Sequence, residues 1–166
     1  MTGSATAEPP DTGPLRLRGG QVLDDWIDYN GHMNVAYYVL AFDQAVDLML
    51  EEIGIGPTHV KATGQGPYAL QTSIHYLDEM LQGEAFAFDA LLIDQDNKRI
   101  HVLLRMLKGV SVVATYEQVL MNVDHATRRS TPYPDWAQAR LADLHAAHAD
   151  LPRPSQFGQP LGLRRM

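Results

Sequence analysis

The fold is decided by residues 28–53, which read DYNGHMNVAYYVLAFDQAVDLMLEEI. Apolar residues recur there in alternating steps of four and three, the spacing of one helix face: Val35, Val39, Phe42, Val46, Met49 and Ile53. Asn34 is a suitable N-cap, and Gly54 and Gly56 with Pro57 are suitable stop residues. Because the first two turns are apolar on nearly all sides, we expect a long helix wrapped by other elements.

Four stretches after this helix alternate in the period of β-strands, and they cover residues 68–76, 86–93, 100–106 and 113–123. Turn residues separate them at Gln82-Gly83, Asp96-Asn97 and Lys108-Gly109. We therefore expect an antiparallel meander of four strands, preceded by a first strand from about Leu15 to Asp24. A strand, one long helix and four further strands indicate an α+β domain whose sheet covers the helix.

The length of 166 residues suits one domain. We expect a disordered tail over residues 1–14, the main domain over 15–130, and a short amphipathic helix and tail over 131–166. The chain has no cysteine, which excludes a disulfide framework and a thiolate nucleophile. The N-terminus lacks the features of a signal peptide, and no apolar run reaches the roughly 20 residues of a membrane span. These features favour a cytoplasmic protein.

The net charge is 13 − 20 = −7. An acidic protein has no long-range attraction to nucleic acids or anionic lipids, so we expect neither as a partner. His145 and His148 with Asp143 are interpreted as part of a surface helix, and no metal site or cofactor is expected.

The segment before the helix contains the candidate catalytic residues. Asn30-Gly31 is a strong turn dipeptide, and the turn places the carboxylate of Asp28 next to the free N–H groups of a helix N-terminus. A carboxylate beside an oxyanion site is the minimum requirement for acyl transfer to water. The same pattern is compatible with a turn-forming Asp28 and a structural His32.

The segment Asp28-Tyr29-Asn30-Gly31-His32-Met33-Asn34, followed by Tyr37, Tyr38 and Phe42-Asp43, resembles the signature of hotdog-fold acyl-CoA thioesterases of the 4-hydroxybenzoyl-CoA thioesterase type. The resemblance covers about residues 15–125. It implies the hotdog fold, in which a curled antiparallel sheet of about five strands wraps one long helix. It also implies hydrolysis of an acyl-CoA thioester to a free acid and CoA.

Carried over to this chain, the resemblance makes Asp28 the nucleophile or the general base, and the Val35 backbone N–H the donor to the thioester carbonyl. His32 and Asn34 would shape the turn, and Asn34 would cap the helix or bind the substrate. In two respects the chain departs from related patterns. Trp26 replaces the first Asp of a frequent Asp-x-Asp pair, and the His-Gly-Gly motif of thioesterases with a helix-borne carboxylate is missing. The second departure favours Asp28 over Asp43.

The substrate of such an enzyme carries several phosphates, so we expect local basic residues that bind CoA. The candidates are Lys98, Arg99, Arg105, Arg128 and Arg129. Gly31, Tyr29 and Tyr37 are expected near the substrate, and Glu79 is expected on the surface.

Core packing explains most of the aromatic residues near the site. However, relatives of the motif include thioesterases linked to carnitine breakdown, for which an aromatic cage around a quaternary ammonium would be suitable. The resemblance further implies a homodimer or homotetramer, with sites shared between protomers. The alternative functions are a non-catalytic acyl-CoA binder or sensor and a hotdog dehydratase.

Overall fold

The computed structural model describes residues 13–163, so residues 1–12 of the expected N-terminal tail lie outside the described residues. It contains a curled antiparallel sheet around one long helix, together with two shorter helices and a 3-10 turn at Asp24–Trp26. The helices are α1 (Val35–Ile53), α2 (Pro57–Thr63) and α3 (Asp135–His148). The strands are β1 (Leu15–Gln21), β2 (Gln65–Tyr76), β3 (Ala85–Gln95), β4 (Arg99–Lys108), β5 (Ser111–Asp124) and β6 (Arg129–Ser130).

Helix α1 has the bounds that its sequence predicts. Asn34 caps it by accepting a hydrogen bond from the Ala36 N–H at 2.9 Å, and Gly54 ends it with a φ of 93°, a conformation that favours glycine. Its inner face packs on the sheet through Phe42, whose ring lies 4.8 Å from that of Tyr116 and 5.3 Å from that of Phe88. The arrangement is the one that the resemblance to hotdog proteins implies.

The expected four-strand meander is wrong in one place. The strands lie in the order β1-β3-β4-β5-β2, so only β3, β4 and β5 form a meander. Strand β2 pairs with β5 at the far edge, and the segment 77–84 crosses back to β3 instead of making a hairpin. Gly83 does sit in a turn, with a φ of 78°. Turn chemistry is local, however, and does not specify which strands lie side by side.

Helix α2 was not predicted from the sequence. Gly54 and Gly56 do stop α1, but Pro57 then occupies the first turn of a new short helix. Proline is well suited to that position, because its missing N–H would have no helical acceptor there.

The C-terminal part of the described chain packs against the sheet. Ala137 and Leu141 of α3 belong to the same buried core as α1, and Leu151 and Phe157 cover a small apolar cluster formed by Leu91, Ile93 and Leu103. His148 is buried, contrary to the expected surface position, and its Nδ1 accepts a hydrogen bond from the Leu92 N–H at 2.9 Å. None of the helices within residues 13–163 is long and apolar enough to cross a membrane.

Candidate active site

The loop from Asp28 to Asn34 is held closed by backbone hydrogen bonds. The Asp28 N–H donates to the His32 carbonyl at 3.0 Å, and the Gly31 N–H donates to the Asp28 carbonyl at 2.9 Å. Gly31 has a φ of 83°, which is strained for any residue with a side chain. The Asn-Gly turn of the sequence is therefore a real turn, and it sets the position of Asp28 in front of helix α1.

One oxygen of the Asp28 carboxylate is already engaged. Its Oδ1 accepts a hydrogen bond from the Asn30 N–H at 2.8 Å, which fixes the side chain over the turn. Among residues 13–163 the other oxygen, Oδ2, has no hydrogen-bond donor. Asp28 is half-buried, so this oxygen can meet a substrate or a water molecule.

The N-terminus of α1 presents a backbone donor beside this loop. Asn34 uses its own N–H for the Trp26 carbonyl, at 2.8 Å, and its side chain for the Ala36 N–H. The N–H of Val35, the first helical residue, has no acceptor in the described part of the chain. A free N–H at the positive end of a helix is well suited to bind a carbonyl oxygen that becomes negative during a reaction.

A cavity of about 280 Å³ opens next to this N-terminus. It lies between the first turns of α1 and the segment that follows β2, and its lining residues are His32, Met33, Val35, Tyr38, Tyr76, Leu77, Asp78 and Glu79. Asp28 does not line it but adjoins it through the hydrogen bond to the His32 carbonyl. The wall contributed by the end of β2 was not recognised from the sequence, because it is brought to the helix only by the fold.

The two tyrosines form the aromatic part of this cavity. Their rings meet edge to face, with centroids 5.3 Å apart. Tyr38 is buried and its hydroxyl donates to the Asp78 carbonyl at 3.4 Å, whereas Tyr76 is 47 % exposed. Burial raises the pKa of Tyr38 to about 12, and the nearby carboxylates of Asp78 and Glu79 act in the same direction. Tyr38 is therefore a neutral phenol at physiological pH.

The remaining residues expected near the substrate are placed differently. Tyr29 is 95 % exposed and does not line the 280 Å³ cavity. Tyr37 does not line it either, and its ring stacks on that of Trp26 with centroids 5.2 Å apart. Trp26 itself lines a larger cleft of about 480 Å³ between β1 and α1, which includes Gln44 and Asp47.

Four of the five basic residues expected to bind CoA lie together, but far from Asp28 within one chain. The fifth, Arg105, instead binds the buried carboxylate of Asp89. The turn that carries Lys98 and Arg99 is bonded to the end of β5, and Arg128 and Arg129 follow that same end. Asp28 adjoins the opposite end of the sheet, where β2 finishes. The register places Arg99 level with Tyr68 and Arg129 level with Gln65, so at about 3.3 Å per residue the two groups are separated along β2 by roughly 25–35 Å.

The contacts of these cations differ. Arg99 is paired with Asp96 at 2.6 Å, and the hydrogen bond from Arg99 holds the pKa of that carboxyl below its ordinary value. Arg128 has a φ of 59°, unusual for a residue with a side chain, and donates to the Tyr68 hydroxyl at 3.2 Å. Lys98 lies 3.4 Å from the Ser130 hydroxyl, and Arg129 is exposed in β6.

The helix carboxylates form a separate group. Asp43, Asp47 and Glu51 follow one another at i, i+4 spacing on the exposed side of α1, and Asp43 does not line the cavity at the N-terminus. Partial burial and the repulsion from Asp43 and Glu51 raise the pKa of Asp47. The geometry thus keeps Asp28 as the candidate carboxylate. Within the described residues, no group of three or more His, Asp or Glu side chains could hold a metal ion.

A curled antiparallel sheet around one long helix defines the class of hotdog-fold proteins. The chain belongs to the thioesterase-like superfamily, whose family model it matches over residues 22–141. It is 33 % identical over 144 residues to a betainyl-CoA thioesterase of Pseudomonas aeruginosa, a match that covers 86 % of this chain and 91 % of that protein.

Two further similarities define the relationship. The chain is 35 % identical over 165 residues to an L-carnitine dehydrogenase/betainyl-CoA thioesterase of Rhizobium meliloti. That match covers 98 % of this chain but only 33 % of the relative, so the chain spans about a third of its length. A protein from Staphylococcus aureus solved in complex with CoA has the same fold, with a TM-score of 0.83, 24 % identity and coverage of 91 % and 97 % of the two chains.

Proposed function

We propose that this protein is an acyl-CoA thioesterase in which Asp28 and the Val35 N–H act on the thioester. One observation carries the proposal: a single closed loop leads from a carboxylate with a free oxygen to a free backbone donor at the start of α1. The Pseudomonas aeruginosa relative also supports it, because the chain covers 91 % of that protein and its name gives no activity other than that of a thioesterase. A CoA ester as substrate also favours a location in the cytoplasm.

The chemistry requires two contributions from the chain. The thioester carbonyl oxygen would accept a hydrogen bond from the Val35 N–H, which stabilises the negative charge that develops on it. The free oxygen of Asp28 would either attack the carbonyl carbon, forming an anhydride that water then cleaves, or take a proton from a water molecule that attacks. In both cases the C–S bond breaks and the CoA thiolate leaves.

The two roles of Asp28 can be separated by one turnover in H₂¹⁸O with enzyme in excess. A nucleophilic Asp28 would leave ¹⁸O in its own carboxylate if water attacks the aspartyl carbonyl, or in the released acid if water attacks the acyl carbonyl. Trapping the acyl-enzyme with hydroxylamine distinguishes the latter case from general-base catalysis. A general base would give ¹⁸O in the released acid and no trapped adduct.

For the acyl group we propose a small one, and betainyl-CoA is the first substrate to test. The cavity next to the Val35 N–H, at about 280 Å³, is at the small end of ligand sites. Two relatives that cover most of this chain carry the name betainyl-CoA thioesterase. Release of the CoA thiol should be fast with betainyl-CoA and slow with long-chain or aryl acyl-CoAs. Saturable binding of acyl-CoAs without any turnover would contradict the proposal.

We further propose that the active unit is a homodimer. On one side β2 pairs with β5, but within residues 13–163 no strand pairs with its other side. Exposed apolar residues adjoin this edge, namely Val35, Val39, Leu70, Tyr76 and Leu77. A long unpaired edge with apolar neighbours is a surface that proteins cover by association.

Antiparallel pairing of two β2 strands would also complete the site. It would bring the start of one strand next to the end of the other, and with it the partner copy's group of Lys98, Arg99, Arg128 and Arg129 toward Asp28. The CoA phosphates would then meet positive charge near the thioester site. This arrangement explains why the catalytic and basic groups lie at opposite ends of one chain.

The dimer is tested by Leu70→Lys, which places a charge on the exposed edge strand. Light scattering should show a dimer or a larger assembly for the wild type and a monomer with little activity for the variant. Val110→Lys is the control, because Val110 is an exposed apolar residue in the β4–β5 turn. A wild type that is monomeric at micromolar concentration, or a fully active monomeric variant, would contradict the proposed dimer.

A further inference from the structure

The cavity next to the Val35 N–H has an unusual charge balance. Two carboxylates, those of Asp78 and Glu79, belong to its lining, and none of its lining residues is a lysine or an arginine. A pocket that received an anionic acyl group would need the opposite balance.

The nearby lysine compensates only part of this negative charge. Lys108 lies 3.7 Å from the Asp78 carboxylate and 3.3 Å from that of Glu84. It also donates to the backbone carbonyl of Glu79, at 3.2 Å. The Glu79 carboxylate itself has no ion pair in the part of the chain that the structure describes. Glu79 therefore remains as an uncompensated negative charge at the wall of the cavity.

The other wall is aromatic. The rings of Tyr76 and Tyr38 meet edge to face, and Tyr76 leaves almost half of its surface open. The face of an electron-rich ring attracts cations, most strongly those that are weakly hydrated, such as a quaternary ammonium. A tyrosine face and an unpaired carboxylate are groups that attract an organic cation, and both belong to this small cavity.

We propose that Tyr76 and Glu79 determine the substrate specificity of this site, by selecting acyl groups that carry a positive charge one or two bonds from the thioester carbonyl. The inference rests on the proposed function, since it places the carbonyl oxygen at the Val35 N–H. With that oxygen fixed, a short acyl group extends into the cavity and brings its cation between the ring and the carboxylate. Long acyl chains have no room there.

The test uses two substrates of equal shape. Betainyl-CoA carries a trimethylammonium group, and 3,3-dimethylbutyryl-CoA carries a tert-butyl group in the same position without charge. The wild type should show a kcat/KM at least about tenfold higher for betainyl-CoA. Tyr76→Leu should reduce this preference, measured as the ratio of the two kcat/KM values, about 3–30-fold, and Glu79→Gln should reduce it about 3–10-fold.

Glu52→Gln serves as the matched control. It removes the same charge from the exposed C-terminal part of α1, about 25 Å along the helix from Val35, and should leave the preference unchanged. Because Tyr76 and Glu79 are both exposed, their variants should fold. A wild type without preference for the charged substrate, or a preference that neither variant reduces, would overturn the assignment of these two residues.

A binding measurement separates this proposal from the proposed function. Calorimetric titration with glycine betaine and with 3,3-dimethylbutyrate needs no turnover. Preferential binding of glycine betaine that Glu79→Gln weakens would support the cation site even if no acyl-CoA were hydrolysed. If the protein hydrolysed acyl-CoAs but bound both acids with equal affinity, the proposed thioesterase function would stand and the cation site would be refuted.

Discussion

Substituting Val35 with proline would remove the proposed oxyanion donor without removing the helix. Val35 is the first residue of α1, a position that proline favours, and Asn34 has the extended backbone (φ −65°, ψ 143°) that residues before proline adopt. The capping bond from the Ala36 N–H to Asn34 is not affected. The Val35 N–H has no acceptor in the described chain, and its side chain is 56 % exposed, so folding should lose about 1 kcal/mol or less.

The same Val35→Pro substitution should reduce kcat strongly. Loss of one oxyanion donor typically lowers kcat by about 10²–10³-fold, which corresponds to roughly 2.7–4 kcal/mol of transition-state stabilisation. The assay is thiol release from betainyl-CoA, with Val35→Ala as the control that keeps the N–H and should stay within about threefold of the wild type. A folded Val35→Pro variant with the kcat of the wild type would refute the role of this N–H.

Two further predictions concern stability. Arg105 holds the buried carboxylate of Asp89 with two hydrogen bonds of 2.7 Å, and Arg16 remains 3.4 Å from that carboxylate when Arg105 is removed. Arg105→Ala should therefore lower the free energy of unfolding by about 1–3 kcal/mol in urea titrations, and an unchanged midpoint would contradict this. Burial lowers the pKa of His148 below its ordinary 6.5, and protonation would remove the acceptor for the Leu92 N–H. The unfolded chain then binds the proton more readily, so this contribution to stability is complete above pH 6.5 and is lost as the pH falls below it. His148→Gln should flatten the dependence of the melting temperature on pH between 7 and 5, and an identical slope would refute the assignment.

The parts of the fold that local sequence determines could be predicted. Helix α1 has strong periodicity and good capping residues at both ends, so its bounds were correct. The neighbours of β2 could not be predicted, because an alternating strand with turn residues after it can pair with more than one strand. Helix α2 was missed because the residues that end α1 also begin the next helix.

One part of the candidate site could be predicted from local sequence, and the other part depends on how distant segments fold together. Asp28, Asn34 and Val35 lie within one contiguous loop, and their arrangement follows from the turn and the helix start that the sequence encodes. The wall formed by Tyr76 and Glu79 reaches the helix only because β2 folds back along β5. The distance between Asp28 and the basic residues could not be predicted from the sequence either, since it depends on which end of a strand each group occupies.

Asp28 is the residue that we propose catalyses thioester hydrolysis, and the most direct measurement of this role compares Asp28→Asn with the wild type on betainyl-CoA. Asp25→Asn is the matched control, because Asp25 is an exposed carboxylate three residues away. We expect Asp28→Asn to reduce kcat by about 10²–10⁴-fold with an unchanged melting temperature, and Asp25→Asn to keep full activity. Equal rates of thiol release by Asp28→Asn and the wild type would contradict the account.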